Sequence, residues 1–454
     1  MTNTDALQLF QEHVSADRER IFTELSELVR FNSVHGDPAL VDEATAAANW
    51  VEKALQSHGL TVEAIDSSDG SRTIIGRREG AAEAPTVLLY SHYDVVPAGD
   101  HSAWSADPFT LTERDGRWYA RGAADCKGNL AMHLAALRAV DKAGGTGLNL
   151  IVLVEGSEEN GGAGLDDLIA RRPELFAADV ILIADTGNAA VGVPTLTTGL
   201  RGGAQVTVTV DTLAGALHSG MFGGAAPDAV AALTRTLDSL RDDAGRTVID
   251  GVDVTGSWDG APYDAETFRA DAGVLEGVSL LGGGDAPADL VWARPAVTVT
   301  GFTSTPVAEA VNAVPATASA QLNLRVPHGM DAADTAEKLV AHLKAHTPWG
   351  AHVEVEVADV NDAFATDTSQ PAIALLGECL IEAYGAEELT EVGSGGSIPL
   401  TSALQAAYPE AQIALFGVEE PQAAIHSPDE SVDPTEIQRV AAAEAAFLLR
   451  YGRR

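Results

Sequence analysis

The sequence predicts an α/β protein in which a second domain is inserted into a mostly parallel-sheet domain. Short uninterrupted apolar runs, typical of buried strands, alternate with amphipathic helical segments and predict the first domain. The strand-like runs between residues 197 and 359 alternate apolar and polar residues instead, as half-exposed antiparallel strands do. We therefore expect an α/β domain built from residues 1–196 and 360–454, with an α+β domain inserted at 197–359.

The first part of the chain alternates predicted helices and strands. Apolar residues recur at helical spacing over residues 5–31 and 41–58, where the second helix ends at His58-Gly59. Continuous apolar runs predict buried strands farther along, with helical periodicity between them. The strands are expected at 61–65, 73–75, 86–90, 149–154 and 180–184, and the helices at 127–143 and 163–171.

The pattern changes in the insertion and changes back after residue 360. Residues 243–290 are rich in Gly, Asp and Ala, which predicts loops. The insertion is expected to contain strands at 204–211, 296–301, 318–326 and 352–358 and helices at 226–242 and 331–346. The returning chain is expected to form a helix at 370–385, a buried strand at 413–416 and a helix at 434–450.

The composition excludes several classes of protein. The 454 residues include 28 Lys and Arg against 66 Asp and Glu, and the resulting net charge of −38 makes nucleic acids and anionic membranes poor partners. Two cysteines, Cys126 and Cys379, exclude a disulfide scaffold and are expected to be structural, so His, Asp and Glu must bind any metal. No secretory signal or long apolar run is visible, which predicts a soluble cytoplasmic protein.

Residues that can bind metal follow several of the predicted buried strands. They are His92 and Asp94 after LLYS, Glu158 and Glu159 after VLVEGS, and Asp185 after VILIA. Because the carboxyl ends of parallel strands meet at one edge of a sheet, we expect these side chains to lie close together. Asp94 could orient His92 from behind, as carboxylates do for metal-binding histidines.

Two further candidates lie outside the strands. Asp125 follows the Gly-rich turn YARGAA, and His426 follows the run IALFGVEEPQAAI. Taken alone, Asp125 could cap a helix, His426 could be a structural histidine, and the Glu158–Glu159 pair could be a solvated acidic loop. Two histidines combined with several carboxylates instead suit a pair of zinc ions bridged by one carboxylate.

Seven motifs carry a resemblance to a known family. In chain order they are SHYDVVPAG, YARGAADCKGNL, EGSEENGG, ADTG, LHSGMFGG, GSGGSIPL and IHSPDE. Together they resemble the co-catalytic zinc metallopeptidase family of aminoacylase, carnosinase and glutamate carboxypeptidase. The carnosinase-like dipeptidase branch is the most similar, on LHSGMFGG and LVWARPAVTVTGF. The resemblance implies a zinc-peptidase catalytic domain with an inserted lid and dimerisation domain.

The resemblance implies a metal-binding role for five residues. His92 and Asp185 would bind one metal ion, Glu159 and His426 the other, and Asp125 would bridge the two. The cofactor would be two divalent ions per subunit, with zinc as the first expectation. Manganese and cobalt are alternatives, because the same ligand types bind them.

Three residues would take part in the reaction itself. The resemblance implies that Asp94 orients His92 and that Glu158 is the general base. His218 would match a histidine that reaches across a dimer interface to stabilise the oxyanion in the partner's site, although it could otherwise be a turn residue. The chain would then be a homodimer, and we expect the strands at 204–211 and 296–301 to offer the sheet edge for pairing.

The resemblance also implies substrate contacts in the insertion and in a Gly-rich loop. These residues are Asn312, Arg325, Gly395, Gly396 and Ser397. Asn312 could otherwise cap a turn, and Arg325 could form an ion pair on an exposed strand face. Many carnosinase-like members have an Arg-Glu pair before the Gly-Gly-Ser, whereas this chain has Gly393-Ser394, so it would recognise the substrate termini differently.

The leading hypothesis is zinc-dependent hydrolysis of an amide bond in short peptides, above all dipeptides. A water activated by metal would lose its proton to Glu158 and attack the scissile carbonyl, and Glu158 would pass the proton to the leaving amine. An N-acyl-amino-acid deacylase or desuccinylase of the same family is the main alternative. A non-catalytic binding protein should lack the base or a ligand, and a nucleotide-binding protein should carry a phosphate-binding Gly-rich motif that is absent here.

Overall fold

The chain divides into two compact units. A computed structural model describes residues 3–396 and 398–453. Unit 1 comprises Met1–Thr198, Thr366–Val392 and Ile398–Arg454, and unit 2 comprises Gly199–Ala365 and Gly393–Ser397. Unit 2 thus extends beyond residue 359, and the segment at Gly393 groups with it and not with the rest of 360–454.

Helices and strands alternate along the first part of unit 1. They are α1 (Asn3–Ala16), α2 (Arg18–Val29), α3 (Val41–Ser57), β1 (Thr61–Asp66), β2 (Arg72–Arg78), β3 (Thr86–His92), β4 (Thr112–Arg114), β5 (Arg117–Tyr119), α4 (Lys127–Lys142), β6 (Asn149–Glu155), α5 (Ala163–Arg171), β7 (Val180–Ala184) and β8 (Thr195–Leu200).

Strands predominate in unit 2, and helices predominate where the chain returns. The next elements are β9 (Gly202–Asp211), β10 (Leu217–His218), α6 (Ser219–Phe222), α7 (Ala229–Asp238), α8 (Ala265–Asp271), β11 (Ala296–Thr303), β12 (Ala313–Val314), β13 (Thr317–Val326), α9 (Ala332–His346), β14 (His352–Asn361) and β15 (Phe364–Ala365). The last elements are α10 (Pro371–Tyr384), β16 (Thr390–Ser394), α11 (Pro399–Ala407), β17 (Gln412–Phe416), β18 (Ser431–Val432) and α12 (Pro434–Tyr451).

A sheet with the strand order β1-β2-β6-β3-β7-β17-β8 forms the centre of unit 1. The four strands β6, β3, β7 and β17 are parallel to one another, and the outer pairs β1–β2, β2–β6 and β17–β8 are antiparallel. The parallel strands are buried along almost their whole length, which explains their continuous apolar runs. Their carboxyl ends lie at one edge of the sheet, where an open α/β sheet binds its ligands.

Helices α4 and α12 pack together over this sheet. His133 of α4 forms a buried ion pair with Glu444 of α12, with Nδ1 and Oε2 2.7 Å apart, and its Nε2 donates to the carbonyl of Tyr90 in β3 at 3.1 Å. Burial, the largest single effect, acts to lower the pKa of His133, but the charge and hydrogen bond of Glu444 and the hydrogen bond to Tyr90 together raise it. The ion pair therefore joins α4 to α12, and the hydrogen bond to Tyr90 joins α4, the helix that follows Asp125, to the strand that ends at His92.

The sheet of unit 2 is four-stranded and antiparallel, in the order β11-β13-β9-β14. Buried residues alternate with half-buried ones along β9 and β13, as the sequence predicts, and α7 and α9 pack against these strands. The expectation that 204–211 contributes to the free sheet edge is wrong, because β13 and β14 flank it on either side. The edge strands are β11 and β14.

Several local elements differ from the sequence predictions. The helix expected at 5–31 is two helices, because the chain turns at Asp17, whose carboxylate accepts a hydrogen bond from Arg138. The segment 243–290 contains helix α8 as well as loops, and the small sheet β4-β5-β18 was not predicted. Among the described residues, no helix has both the length and the apolar composition needed to cross a membrane.

Local contacts explain why the segment at Gly393 belongs to unit 2. The N–H of Arg201 donates to the carbonyl of Ser394 at 3.3 Å. A Cβ at Gly393 would lie 2.6 Å from Cγ of Trp292, so only glycine allows the indole to approach the backbone this closely. The sequence pattern could not reveal either contact, because both join residues about 100 or more positions apart.

Glu430 holds the turn that carries Asp125. Its carboxylate accepts hydrogen bonds from the backbone N–H groups of Gly122, Ala124 and Asp125 at 3.0–3.1 Å. It also forms an ion pair of 2.6 Å with Arg121, and the side chains of both are almost completely buried. Removing one partner of a buried ion pair leaves the other charge without compensation.

We predict that Glu430→Ala lowers the free energy of unfolding by about 3–5 kcal/mol, as expected for a broken buried ion pair. Urea denaturation of the metal-free protein, followed by circular dichroism, measures this change. The control is Asp141→Ala, which removes the more exposed ion pair with Arg78 and should cost less than about 1 kcal/mol. Equal losses for the two variants would contradict a special role for Glu430.

Candidate metal centre

His92 lies at the carboxyl end of β3 and is completely buried. Its Nδ1 is 3.2 Å from Oδ1 of Asp94, which holds the ring in place. Its Nε2 points to two other carboxylates, 3.1 Å from Oδ1 of Asp125 and 3.1 Å from Oδ1 of Asp185. Three potential ligands of one metal ion therefore converge on the side of the ring that faces away from Asp94.

A second group of donors converges on the other oxygen of Asp125. Nε2 of His426 lies 3.0 Å from Oδ2 of Asp125 and 3.0 Å from Oε2 of Glu159. The His426 backbone has a φ of 60°, a left-handed conformation that is uncommon for a residue with a side chain. Asp125 thus faces one histidine with each of its oxygens, as a bridging carboxylate would.

The spacing of these atoms fits divalent metal ions. Neighbouring ligands of a tetrahedral ion with bonds of about 2.0–2.1 Å lie about 3.3 Å apart. The imidazole and carboxylate atoms of both groups are 3.0–3.1 Å apart, so small movements would admit an ion to each. Imidazole and carboxylate are also the ligand types that zinc takes in catalytic sites.

The negative charges of the clustered carboxylates would be stabilised by added positive charge. Burial, reinforced by the charge of Asp185, raises the pKa of Glu158 well above its ordinary value. Burial also raises the pKa of Glu159, to about 7, and that of Asp185. Hydrogen bonds to Asp125 and then to Glu159 raise the pKa of His426 to about 10. Without metal the cluster therefore favours bound protons, which metal ions would replace.

Asp94 also positions the loop of Glu158 and Glu159. It accepts hydrogen bonds from the backbone N–H groups of Glu158 at 3.2 Å and Glu159 at 3.1 Å. Oε2 of Glu158 stays 3.9 Å from Nε2 of His92, whereas Glu159 reaches His426 directly. The two neighbouring glutamates thus take different positions, and Glu158 is the one not in close contact with a histidine.

The sequence did not identify two residues that lie at this centre. Glu419 follows β17, the fourth parallel strand, and one of its carboxylate oxygens lies within 4.8 Å of ligand atoms of Asp125 and Asp185. Glu419 could have been predicted from its position after the apolar run IALF, because the other acids at strand ends were predicted from such runs. Cys126 likewise places its sulfur beside His92 and Asp185, although burial raises the pKa of its thiol well above the ordinary value.

The remaining predicted site residues lie in unit 2. His218 and Asn312 are brought together, because the N–H of Ser219 donates to the carbonyl of Asn312 at 2.9 Å and His218 pairs with Ala313. The carboxamide of Asn323 accepts a hydrogen bond of 2.9 Å from Nε of Arg325.

The Gly-rich loop lies beside a different arginine. A Cβ at Gly395 would be 2.9 Å from Nη2 of Arg201, and the N–H of Gly396 donates to the hydroxyl of Ser394. Ser397 lies outside the described residues.

The chain is similar to known proteins in sequence and in fold. Residues 88–450 match the model of peptidase family M20/M25/M40. The chain belongs to this family. A cysteinylglycine-S-conjugate dipeptidase of Corynebacterium striatum is 57% identical over 455 residues, which cover 100% of both chains.

Solved structures show the same fold. The di-peptidase Dug1p of Saccharomyces cerevisiae has a TM-score of 0.86 at 23% identity, covering 100% of both chains. Human carnosine dipeptidase 1 has a TM-score of 0.84 at 22% identity, covering 99% of both. The comparisons confirm the predicted family, the carnosinase-like dipeptidase branch, the α/β fold class and an enzyme of the metallopeptidase type.

We predict that Glu159→Ala and Glu158→Ala differ in metal retention. If the cluster binds two ions, Glu159→Ala should lose about one of them, because Glu159 would be a ligand of the ion at His426. Glu158→Ala is the matched control and should keep its metal. Metal analysis by mass spectrometry after dialysis measures the difference, and equal metal content in the two variants would contradict the assignment.

Proposed function

We propose that this protein is a dipeptidase that hydrolyses cysteinylglycine whose sulfur carries a substituent. The observation that carries the proposal is the 57% identity, over both whole chains, to a cysteinylglycine-S-conjugate dipeptidase. The alternative, an N-acyl-amino-acid deacylase or desuccinylase, has less support, because further relatives are also named as dipeptidases. The amide bond between cysteine and glycine would be the one that is cleaved.

The geometry supports two zinc ions as the cofactor, with manganese or cobalt as alternatives. One ion would be held by His92 and Asp185, and the other by His426 and Glu159. Asp125 would be a ligand of both ions. Bound metal would polarise the scissile carbonyl and make water acidic enough to react at neutral pH.

Glu158 would take the proton from the attacking water through its carboxylate. It would then donate that proton to the leaving glycine nitrogen. Burial raises the pKa of Glu158 above its ordinary value, which favours proton uptake by its carboxylate. Asp94 would fix the position of the Glu158 loop relative to His92, because its carboxylate contacts the His92 ring and accepts a hydrogen bond from the Glu158 N–H.

We further propose a homodimer in which His218 stabilises the oxyanion in the partner's site, with Asn312, Arg325 and the loop of Gly395, Gly396 and Ser397 contacting the substrate. The edge strand β11 supports association, because its Val299 and Phe302 are 46% and 47% exposed.

The proposed location of the protein is the cytoplasm. In support, Cys126 and Cys379 are both free thiols and both buried, as is usual in a reducing compartment.

A substrate panel with and without metal tests the main proposal. We expect cysteinylglycine S-conjugates to be hydrolysed faster than β-alanylhistidine and N-acyl amino acids, with loss of activity on chelation and recovery with zinc or manganese. Glu158→Ala should lower turnover by on the order of a hundredfold or more, as for a lost general base, with its metal retained. Faster hydrolysis of N-acyl amino acids, or full activity in verified metal-free protein, would refute the proposal.

Mixing two inactive variants tests the shared site. In a mixed dimer of His218→Ala and Glu158→Ala, one site contains both intact residues and the other contains neither. Random exchange makes half of the dimers mixed, so activity should recover to about a quarter of wild type if the sites are independent. Each variant incubated alone is the control. No recovery after exchange shown with a size-tagged subunit would remove the shared-site claim and leave the metal assignment intact.

A further inference from the structure

A cavity of about 520 Å³ lies within unit 2, whereas the metal centre is built entirely from residues of unit 1. Small-molecule sites typically measure about 300–1,000 Å³, so its volume suits such a ligand. Much of its wall is apolar and includes Leu280, Leu281, Leu290 and Val291. Leu281 and Val278 in this wall are 60% and 51% exposed, so part of the apolar lining faces solvent and is not filled by the core of the unit.

Four arginines also line this cavity: Arg201, Arg241, Arg246 and Arg294. Two of them are neutralised by acidic side chains. Nε of Arg246 and Nη1 of Arg294 lie 2.7 and 2.5 Å from the same oxygen of Asp285, and Asp242 and Asp289 supply further contacts. These two arginines need no additional anion.

Arg201 is not neutralised in this way. Its Nε and Nη1 are buried and, within the described part of the chain, have no hydrogen-bond partner. Burial, and then the charge of Arg325, lower the pKa of Arg201 to about 10. A buried cation is stable when an anion pairs with it and accepts its hydrogen bonds. Among the described residues, Nε and Nη1 of Arg201 have no such acceptor. The cavity that its side chain lines is where such an anion can reach it.

Arg241 adds a second charge on the same cavity. Its Nη1 donates to the hydroxyl of Thr247 at 2.6 Å, and its Nη2 donates to the carbonyl of Val297. Both acceptors are neutral, so these bonds hold the guanidinium in place without balancing its charge. Burial lowers the pKa of Arg241, as expected for a cation without an acidic partner. In a chain with a net charge of −38, two such arginines on one cavity indicate recognition of an anion.

We propose that this cavity binds a small amphipathic carboxylate, with its carboxylate on Arg201 and Arg241 and its apolar chain against Leu281, Leu290 and Val291. The planar guanidinium suits a carboxylate, which can accept two parallel hydrogen bonds. Inorganic phosphate has four oxygens, more than a carboxylate, and the apolar wall offers it few further donors. Every residue named in this proposal belongs to unit 2, and the proposal does not depend on the proposed function.

Titration calorimetry of the metal-loaded protein with sodium octanoate tests this proposal. Octanoate should bind once per chain, and Arg201→Gln should weaken binding about tenfold or more, as for the loss of a charge-assisted hydrogen bond. Leu281→Asp should also weaken it, by placing a carboxylate on the apolar wall. The matched control is Leu275→Asp, because Leu275 is a 75% exposed leucine outside the cavity wall and its replacement should change nothing.

Three further measurements distinguish this carboxylate site from an apolar pocket, from a phosphate site and from the dipeptide site. Equal affinity for 1-octanol would show an apolar pocket without anion recognition, and tighter binding of inorganic phosphate would show a different anion site. In the Glu158→Ala protein, which should bind dipeptide without cleaving it, a saturating dipeptide should leave octanoate binding unchanged. Displacement by the dipeptide, or loss of octanoate binding on chelation, would place octanoate in the dipeptide site. Any of these results, or undiminished binding by Arg201→Gln, would overturn the proposal.

Discussion

Repulsion among carboxylates collected at one edge of a sheet is the constraint on which the rest of unit 1 depends. Asp125, Glu158, Glu159, Asp185 and Glu419 are brought together there, and burial raises the pKa values of all but Asp125. Hydrogen bonds from His426 and His92 lower the pKa of Asp125 despite its burial, so this carboxylate remains negative between the two imidazoles. Without cations, such a cluster of buried carboxylates lowers the stability of the folded protein, and the binding of divalent ions reverses this effect. Other interactions in the fold must therefore keep these carboxylates in place when no metal is bound.

The loops that carry the cluster are held in place by buried polar groups that are themselves paired. Asp94 bonds to His92 and to the loop of Glu158, and Glu430 bonds to the turn of Asp125. Each of these two carboxylates binds backbone N–H groups, which fixes the loops more firmly than side-chain packing would. Metal ligands on loops can be placed precisely only when the loops are restrained. The parallel strands restrain only the first residues of each loop, so the rest of the loop needs these hydrogen bonds.

The sequence predicted the parts of the centre that obey a local rule. His92, Glu158 and Asp185 follow continuous apolar runs, and parallel strands of this kind necessarily end at the same edge. Glu419 obeys the same rule and could have been predicted from it, although only His426, farther along the same loop, was. Glu430 could not be found by pattern, because its partners lie more than 300 residues earlier and an acid in the motif IHSPDE has many possible roles. Strand order in unit 2 was equally inaccessible, since alternation shows that a strand is half-exposed but not which strand lies beside it.

The departure at Gly393-Ser394 has a structural counterpart. Many carnosinase-like proteins have an Arg-Glu pair there, whereas in this chain Trp292 lies so close to Gly393 that a Cβ would clash with it. Trp292 is stacked on Tyr263 and packs edge-on against Trp258, so an aromatic cluster fills the space beside this segment. An arginine at 393 would require the indole to move and the cluster to reorganise. In this chain the glycine at 393 and the aromatic cluster around Trp292 therefore depend on each other, because the indole can occupy its position only while residue 393 has no side chain.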